Sequence, residues 1–224
     1  MRGKRQELHE ETCAHLDPDL IRSVRSRDGA WRGLVGQSLA AAGHLLKQDV
    51  GPGDLFLFWG LFRRAEHGPG GRLRFVPAAH AFHAIWGYLQ VASVLDAGAG
   101  DTVPWAPYHP HFAVPDRGHP NIVYTGRPIL SWSESRGWGV FRFREALRLT
   151  TPGSVKVSDW RLPALFGPAS GVRVTYLDDA TLWTEAGKYV RVSVLRQKQE
   201  LVVSESPAVA RWARNLVTRS ETWA

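Results

Sequence analysis

The 224-residue sequence predicts an α+β fold, a mixed or mainly antiparallel sheet that closes toward a barrel and is flanked by helices. Three observations predict it. "HAIWGYLQVASVL", His83 to Leu95, alternates with Ile85, Leu89 and Val91 on one face and Trp86, Tyr88 and Gln90 on the other, which is the period of a strand. Several shorter apolar runs are bounded by turn residues. Helical spacing occurs in two stretches, one toward each end.

Taken in order, residues 1–30 are charged and aperiodic, with a turn signal at Asp17-Pro18, and read as a poorly tied arm. Residues 31–224 read as a single domain, a length that can bury a sizeable core. From Gly33 to Gln48, Val35, Leu39, Ala42 and Leu46 recur at helical steps, with Gln37, Ala41, His44 and Gln48 on another face. Gly51, Pro52 and Gly53 end that helix. Asp54 to Trp59, inside "GPGDLFLFWGLFRR", reads as a strand buried on both sides. Further strands are expected at 121–125, 140–148, 172–177 and 189–203, the last as a hairpin turning near 197–199. Ser206 and Pro207 start a closing helix whose buried stripe is Val209, Trp212, Ala213 and Leu216. The segment from Ala97 to Pro120 is too long for an ordinary connection, and its His, Pro and aromatic content suits a functional loop.

The formal net charge is +7, from 28 Lys and Arg against 21 Asp and Glu, so DNA or a nucleotide is a sensible partner. The surplus lies late, with 13 basic against 8 acidic residues over 141–224. Arg outnumbers Lys 23 to 5, which suits bidentate phosphate contacts and equally follows from a GC-rich genome. The single cysteine, Cys13, excludes an internal disulfide framework and a Cys-based zinc knuckle. With no signal-peptide pattern and no apolar run long enough to cross a bilayer, a cytoplasmic protein without a membrane partner is expected. GxSxG, Walker, GxGxxG and HExxH motifs are missing, which removes support for the common hydrolase chemistries and identifies no cofactor.

All nine histidines lie between His9 and His119. In "YHPHF", His109 and His111 project to one side of an extended chain, and His83, His119 or Asp116 could complete a metal site. Spacing fixes no third ligand, so the reading assigns no metal. His83, His109 and His111 are instead the acid–base candidates, against the plainer alternative that they brace the loop. Gln37 and His44, about 10 Å apart along a helix, could line one wall of a pocket. The aromatic face of Trp86 and Tyr88 could stack a base whose edge Gln37, His44 and Gln90 read. Trp59 would end its strand at the pocket mouth, with Arg63 and Arg64 placed for phosphate, although core packing accounts for these aromatics equally well.

"HLDPDL", "GQSLAAAGHLLKQDVGPGDLFLFWGLFRR", "HAIWGYLQV", "YHPHF", "NIVYTG", "WRLPALF" and the Gln199-Glu200 region together resemble the third nucleotide modification associated domain family. These are bacterial and phage proteins linked by association to DNA base modification, so the resemblance implies a nucleic-acid context. Members carry a strand-like Lys-Gly-Phe-Asp type segment near their start, and no such motif precedes His15. If that segment supplies a catalytic Asp, the chain binds without reacting. A Gly-Asp turn into an apolar strand followed by "IWGYLQV" is also similar to the paired strands of PUA-like domains, which implies a PUA-like barrel cupping a modified base. The expected function is recognition of, or action on, a modified nucleobase. The alternatives are a nucleotide-modifying enzyme using the histidines, and a defence or regulatory interaction module without a small-molecule site.

Overall fold

The structure is a computed structural model and describes residues 15–71, 73–113, 118–194, 200–203, 205–220 and 222–223. Leu34 and Val35 are both buried, yet they enter different hydrophobic clusters, Leu34 with Ala106 and Val123, Val35 with Trp31 and Trp138. Opposite placement of adjacent residues is strand behaviour. This stretch is β1 (Leu34–Ser38), and helix α1 (Leu39–Lys47) follows it without a loop. The helix expected over Gly33–Gln48 is corrected to its second half, because the helical spacing ran by coincidence across a strand–helix boundary. Ala42 and Leu45 are the buried residues of α1, whereas Leu39 and Leu46 are exposed. Gln37 consequently lies on β1 and His44 on α1, so they share no helix face.

β2 (Leu55–Phe62) runs antiparallel to the long β5 (Phe82–Asp96), and between them β3 (Ala65–His67) and β4 (Leu73–Phe75) form a small hairpin. After β5 come the one-turn helix α2 (Pro110–Ala113), β6 (Asn121–Gly126) and β7 (Trp138–Phe141). A second sheet contains β8 (Asp159–Pro163), β9 (Trp183–Ala186) and β10 (Tyr189–Ser193), and the chain closes with α3 (Pro207–Arg219) and β11 (Thr222–Trp223). The main sheet has the order β1-β6-β5-β7-β11 with β2 also on β5, all antiparallel. The α+β expectation with antiparallel sheets and few helices holds, but no closed barrel is found among the described strands.

β5 departs from simple alternation. Phe58 pairs with Gly87 and Trp59 with Ile85, which leaves Trp86 as an extra residue opposite β2. Such a bulge flips the faces on either side of it. Tyr88 therefore joins Ile85 in the larger core cluster, while Trp86 packs with Leu89 and Val91 in another. The expected row of Trp86, Tyr88 and Gln90 is divided by that one residue.

Several boundaries also differ. The strand expected over 140–148 is β7 followed by a turn of 3-10 helix at Glu145–Leu147. Residues 172–177 form no strand, because Tyr176 turns through a φ of 66°, and only the Val174–Val203 bridge remains. The turn expected near 197–199 lies outside the described residues. The closing helix begins as expected, with the Ser206 side chain accepting the Val209 N–H and Pro207 in the first turn. Its buried residues are Ala213, Leu216 and Val217, with Val209 and Trp212 packed beside them.

Within the arm expected over 1–30, residues 17–20 and Arg27 are packed, residues 21–26 and 28–30 are exposed, and the first 14 residues lie outside the described part. Asp19 pairs with Leu34 at the edge of β1, and Leu20 is buried beside Gly87. Asp19 and Arg27 form a bidentate ion pair in which each side chain is 1% exposed, and the Tyr108 hydroxyl donates to Asp19 Oδ2 at 2.8 Å. No helix among the described residues is long and apolar enough to cross a membrane.

Candidate functional site

The packed N-terminal strap, β1, the loop after β5, α2 and β6 bring five residues together. Asp17 stands at the centre. Its Oδ1 accepts the Gly36 N–H at 2.8 Å, and its Oδ2 lies 3.3 Å from His111 Nε2. His109 Nε2 lies 3.6 Å from Asp17 Oδ1, an electrostatic neighbour beyond hydrogen-bond reach. On the other side of the imidazole, His111 Nδ1 is 2.5 Å from Asn121 Oδ1, while Asn121 Nδ2 donates to the His111 carbonyl at 3.0 Å. That second bond fixes the Asn121 amide, so its oxygen must face the ring.

Both His111 nitrogens thus face oxygen acceptors, a carboxylate on one side and an amide carbonyl on the other. Only the doubly protonated imidazolium can donate to both. Burial works against that charge, but the hydrogen bonds to Asp17 and Asn121 outweigh it, and the His111 pKa is raised above 6.5. Burial likewise pushes the Asp17 carboxyl up, and the two imidazoles with the Gly36 N–H outweigh it, so its pKa falls below 3.8. The shifts favour the charged form of each partner, and the pair is largely buried, with His111 12% and Asp17 11% exposed. His109 is fully buried, and neither of its ring nitrogens has a hydrogen-bond partner within the protein. Unmatched buried nitrogens are costly, and they concentrate where a group has a task beyond packing.

Gly36 makes this arrangement possible. A Cβ there would stand 2.6 Å from His111 Nε2, so only glycine lets the ring lie against β1. Among the described residues, no group of three His, Cys, Asp or Glu side chains is arranged to hold a metal ion, and Asp116 lies outside them. His119 is exposed, and His15 meets the His111 ring edge-on at 6.3 Å.

His83 sits elsewhere, between Trp59 and Trp160, with ring centroids at 4.7 and 5.7 Å. Its Nδ1 accepts the Trp160 Nε1–H at 2.9 Å, and burial holds its pKa below 6.5. His44 Nε2 is 3.2 Å from Thr175 Oγ1, and its ring packs on Tyr176. Gln37 pairs with Ile122 across β1 and β6. Gln90 is buried, with Nε2 donating to Gly53 O and Ser131 Oγ while Oε1 accepts the Ser131 N–H. The Tyr88 hydroxyl donates to the Arg136 carbonyl, and burial pushes its pKa up to about 12. Trp86 packs against Phe58. Arg63 donates to the carbonyls of Ala79, Val76 and Pro77, and Arg64 is exposed beside it. Of the expected residues, His109 and His111 share a centre and Trp59 meets His83, while Gln37, Trp86, Tyr88 and Gln90 are distributed over the sheet, His44 lies on α1, and Arg63 and Arg64 follow the end of β2.

The nucleotide modification associated domain 3 pattern matches residues 2–204. The chain belongs to this family. No curated protein and no solved structure matches it. Within this nucleotide modification associated domain, the blocks "HLDPDL", "GQSLA", "YHPHF" and "NIVYTG" supply Asp17, Gly36, the two histidines and Asn121 respectively, so four separated stretches meet at one centre. Asp17, Gly36 and Asn121 are not among the site residues expected from the sequence. Two aspartates flanking Pro18, and an Asn opening an otherwise apolar strand, were the signals that could have found two of them.

Proposed function

We propose that this domain acts on a nucleobase, free or within DNA, by proton transfer at the Asp17–His111 pair, with His109 completing the centre. The observation that carries the reading is the His111 ring held between two acceptors. It is a proton donor fixed in place, with the Asp17 carboxylate beside it to stabilise the cation; once the ring has given up its proton, the neutral imidazole is the base that takes one back. The family assignment supports nucleotide modification as the context. A base-reading aromatic cup at Tyr88 and Gln90 has less support, since Tyr88 is buried and both ends of the Gln90 amide are engaged. Recognition of a modified base would precede the reaction at this same centre. The lone Cys13 and the basic surplus suit a nucleic-acid-facing protein of a reducing, cytoplasmic setting.

The test is incubation of the protein with nucleotides and with plain and modified DNA, followed by mass spectrometry of the bases. Asp17→Asn and His111→Asn should each lower turnover by roughly 10²–10⁴-fold, the usual worth of acid–base catalysis. Undiminished turnover in both variants would reject the centre. A stoichiometric transition metal that His111→Asn releases would replace proton transfer by metal-assisted chemistry.

A further inference from the structure

We infer that a second site, separate from the histidine centre, binds the phosphate groups of nucleic acid: a cleft walled by Arg22, Arg32 and Arg136 over a floor of Trp31 and Trp138. Two adjoining hollows of about 240 and 350 Å³ make the cleft, and Arg22, Arg136 and Trp138 line both. Among the described residues, none that lines either hollow is acidic.

These three arginines share one hollow whose described lining holds no carboxylate. Arg27, Arg74, Arg148 and Arg191 are each paired with a carboxylate, of Asp19, Glu66, Glu145 and Asp159 respectively. Among the described residues Arg22, Arg32 and Arg136 form no ion pair; Arg22 donates only to the Asp28 carbonyl, at 3.4 Å. The nearby Asp28 carboxylate accepts the Ala30 N–H at 2.7 Å. Three guanidiniums around one hollow repel one another until an anion enters, and their planar forks match phosphate oxygens.

The backbone behind them is fixed. Trp31 and Trp138 meet edge to face at 5.7 Å, and Trp138 fits because Gly33 lacks a Cβ, which would stand 2.8 Å from Trp138 Cβ. Arg136 is held through its main chain by the bridge to Ile129 and by the Tyr88 hydroxyl on its carbonyl, which leaves its side chain exposed. The indoles are only 2% and 9% exposed, so they set the depth of the cleft and offer no face on which a base could stack. Recognition falls to the arginines, and the ligand they suit is phosphate. Gly33 and Val35 face Trp138 and its cluster, whereas Leu34 and Gly36 face the histidine side, so the cleft lies across β1 from the centre. A nucleic-acid strand passing over that edge can occupy both.

The ligand class rests on the nucleic-acid part of the proposed function, and the experiment separates the two. Binding of a labelled single-stranded oligonucleotide, its duplex and a competing mononucleotide is followed across a salt series. Arg22→Gln/Arg32→Gln/Arg136→Gln should weaken binding, and the slope of log affinity against log salt should shrink by about one for each phosphate contact removed. Arg22→Gln/Arg136→Gln, which changes only exposed side chains, guards against misfolding and should lose about two. Arg74→Gln, which removes an arginine paired with Glu66 in the β3–β4 hairpin and lining neither hollow, should leave both quantities unchanged. Competition by the mononucleotide at equal phosphate concentration assigns the phosphate to a free nucleotide; failure to compete assigns it to a strand. Binding that ignores all three substitutions overturns the cleft and leaves the proposed function standing, while absence of any binding removes both.

Discussion

Gly36 lies against His111 so closely that a Cβ placed on it would stand 2.6 Å from His111 Nε2. Gly36→Ala must therefore displace the His111 ring, held by Asp17 and Asn121, or β1, paired along its length with β6. Overpacking of this kind costs about 1–3 kcal/mol, and a domain of this size loses roughly 2–4 °C of melting temperature per kcal/mol. The variant should melt lower and, in nuclear magnetic resonance titrations, return His111 toward its ordinary pKa. An unchanged melt together with an unchanged His111 titration would show that the ring is not held by this contact.

Stability should follow pH through the same pair. The raised His111 pKa gives a contribution that is complete below 6.5 and is lost as pH rises through the folded value. The lowered Asp17 pKa gives one that is complete above 3.8 and is lost as pH falls through its folded value. Both are present together between 3.8 and 6.5. Half-buried His83 has the opposite sign to His111: its contribution is complete above 6.5 and declines as pH falls. Asp159, held low first by its hydrogen bond from Arg191, adds an acid loss of its own. The informative quantity is thus the difference between wild type and His111→Asn. The wild-type advantage should be larger at about pH 5 than at about pH 8, and an advantage independent of pH would contradict a charged His111.

The sequence made the two kinds of element with unambiguous local chemistry readable. Ser206 and Pro207 mark the start of α3 through hydrogen bonding and backbone geometry that need no tertiary partner. The β5 run is long enough for its period to show. What escaped depends on contacts between distant stretches. Leu34–Ser38 is a strand because β6 pairs with it residue by residue, and that pairing outweighs the helical spacing it shares with α1. Trp86 is a bulge because of the register of β2, which no window of β5 contains. His109 and His111 stood out as a spaced pair, whereas Asp17 lies 92 residues before His109 in the chain and is brought beside it by the strap.

That strap depends on the buried pair of Asp19 and Arg27. Removing one member of such a pair leaves the other charge uncompensated, typically at a cost of 3–5 kcal/mol. Arg27→Met should therefore strongly destabilise the domain. Arg27→Met/Asp19→Asn should recover a large part of that loss, because no buried charge is left alone. Chemical denaturation of the three proteins measures it, and a double variant as unstable as the single one would show that packing of the Arg27 stem, not charge, holds the strap.

Gln90 offers a separate check on whether a residue read as base-binding is instead structural. Its amide joins the Gly53 turn to Ser131 through three hydrogen bonds. Gln90→Leu keeps much of the side-chain volume but leaves buried donors and acceptors unmatched, at about 1–3 kcal/mol. Melting should fall accordingly while nucleic-acid affinity per folded molecule stays constant. Lost affinity with an unchanged melt would return Gln90 to a binding role.

His83, an acid–base candidate from the sequence alongside His109 and His111, lies in the fold between Trp59 and Trp160. Its Nδ1 accepts the Trp160 indole N–H at 2.9 Å, so that nitrogen carries no proton in the folded state. Protonating it requires breaking the bond and charging a ring wedged between two indoles, and burial already holds the His83 pKa below 6.5. Tryptophan fluorescence should therefore show a transition with its midpoint below 6.5, as Trp160 loses its acceptor and a cation quenches both indoles. His83→Leu should abolish that transition. It should also lower stability by about 1–3 kcal/mol, because the buried Trp160 N–H is left unpaired. Turnover per folded molecule at the Asp17–His111 pair should be unaffected. A midpoint at or above 6.5, or a transition that survives His83→Leu, would show that the fluorescence reports another group and that His83 is not held neutral by Trp160.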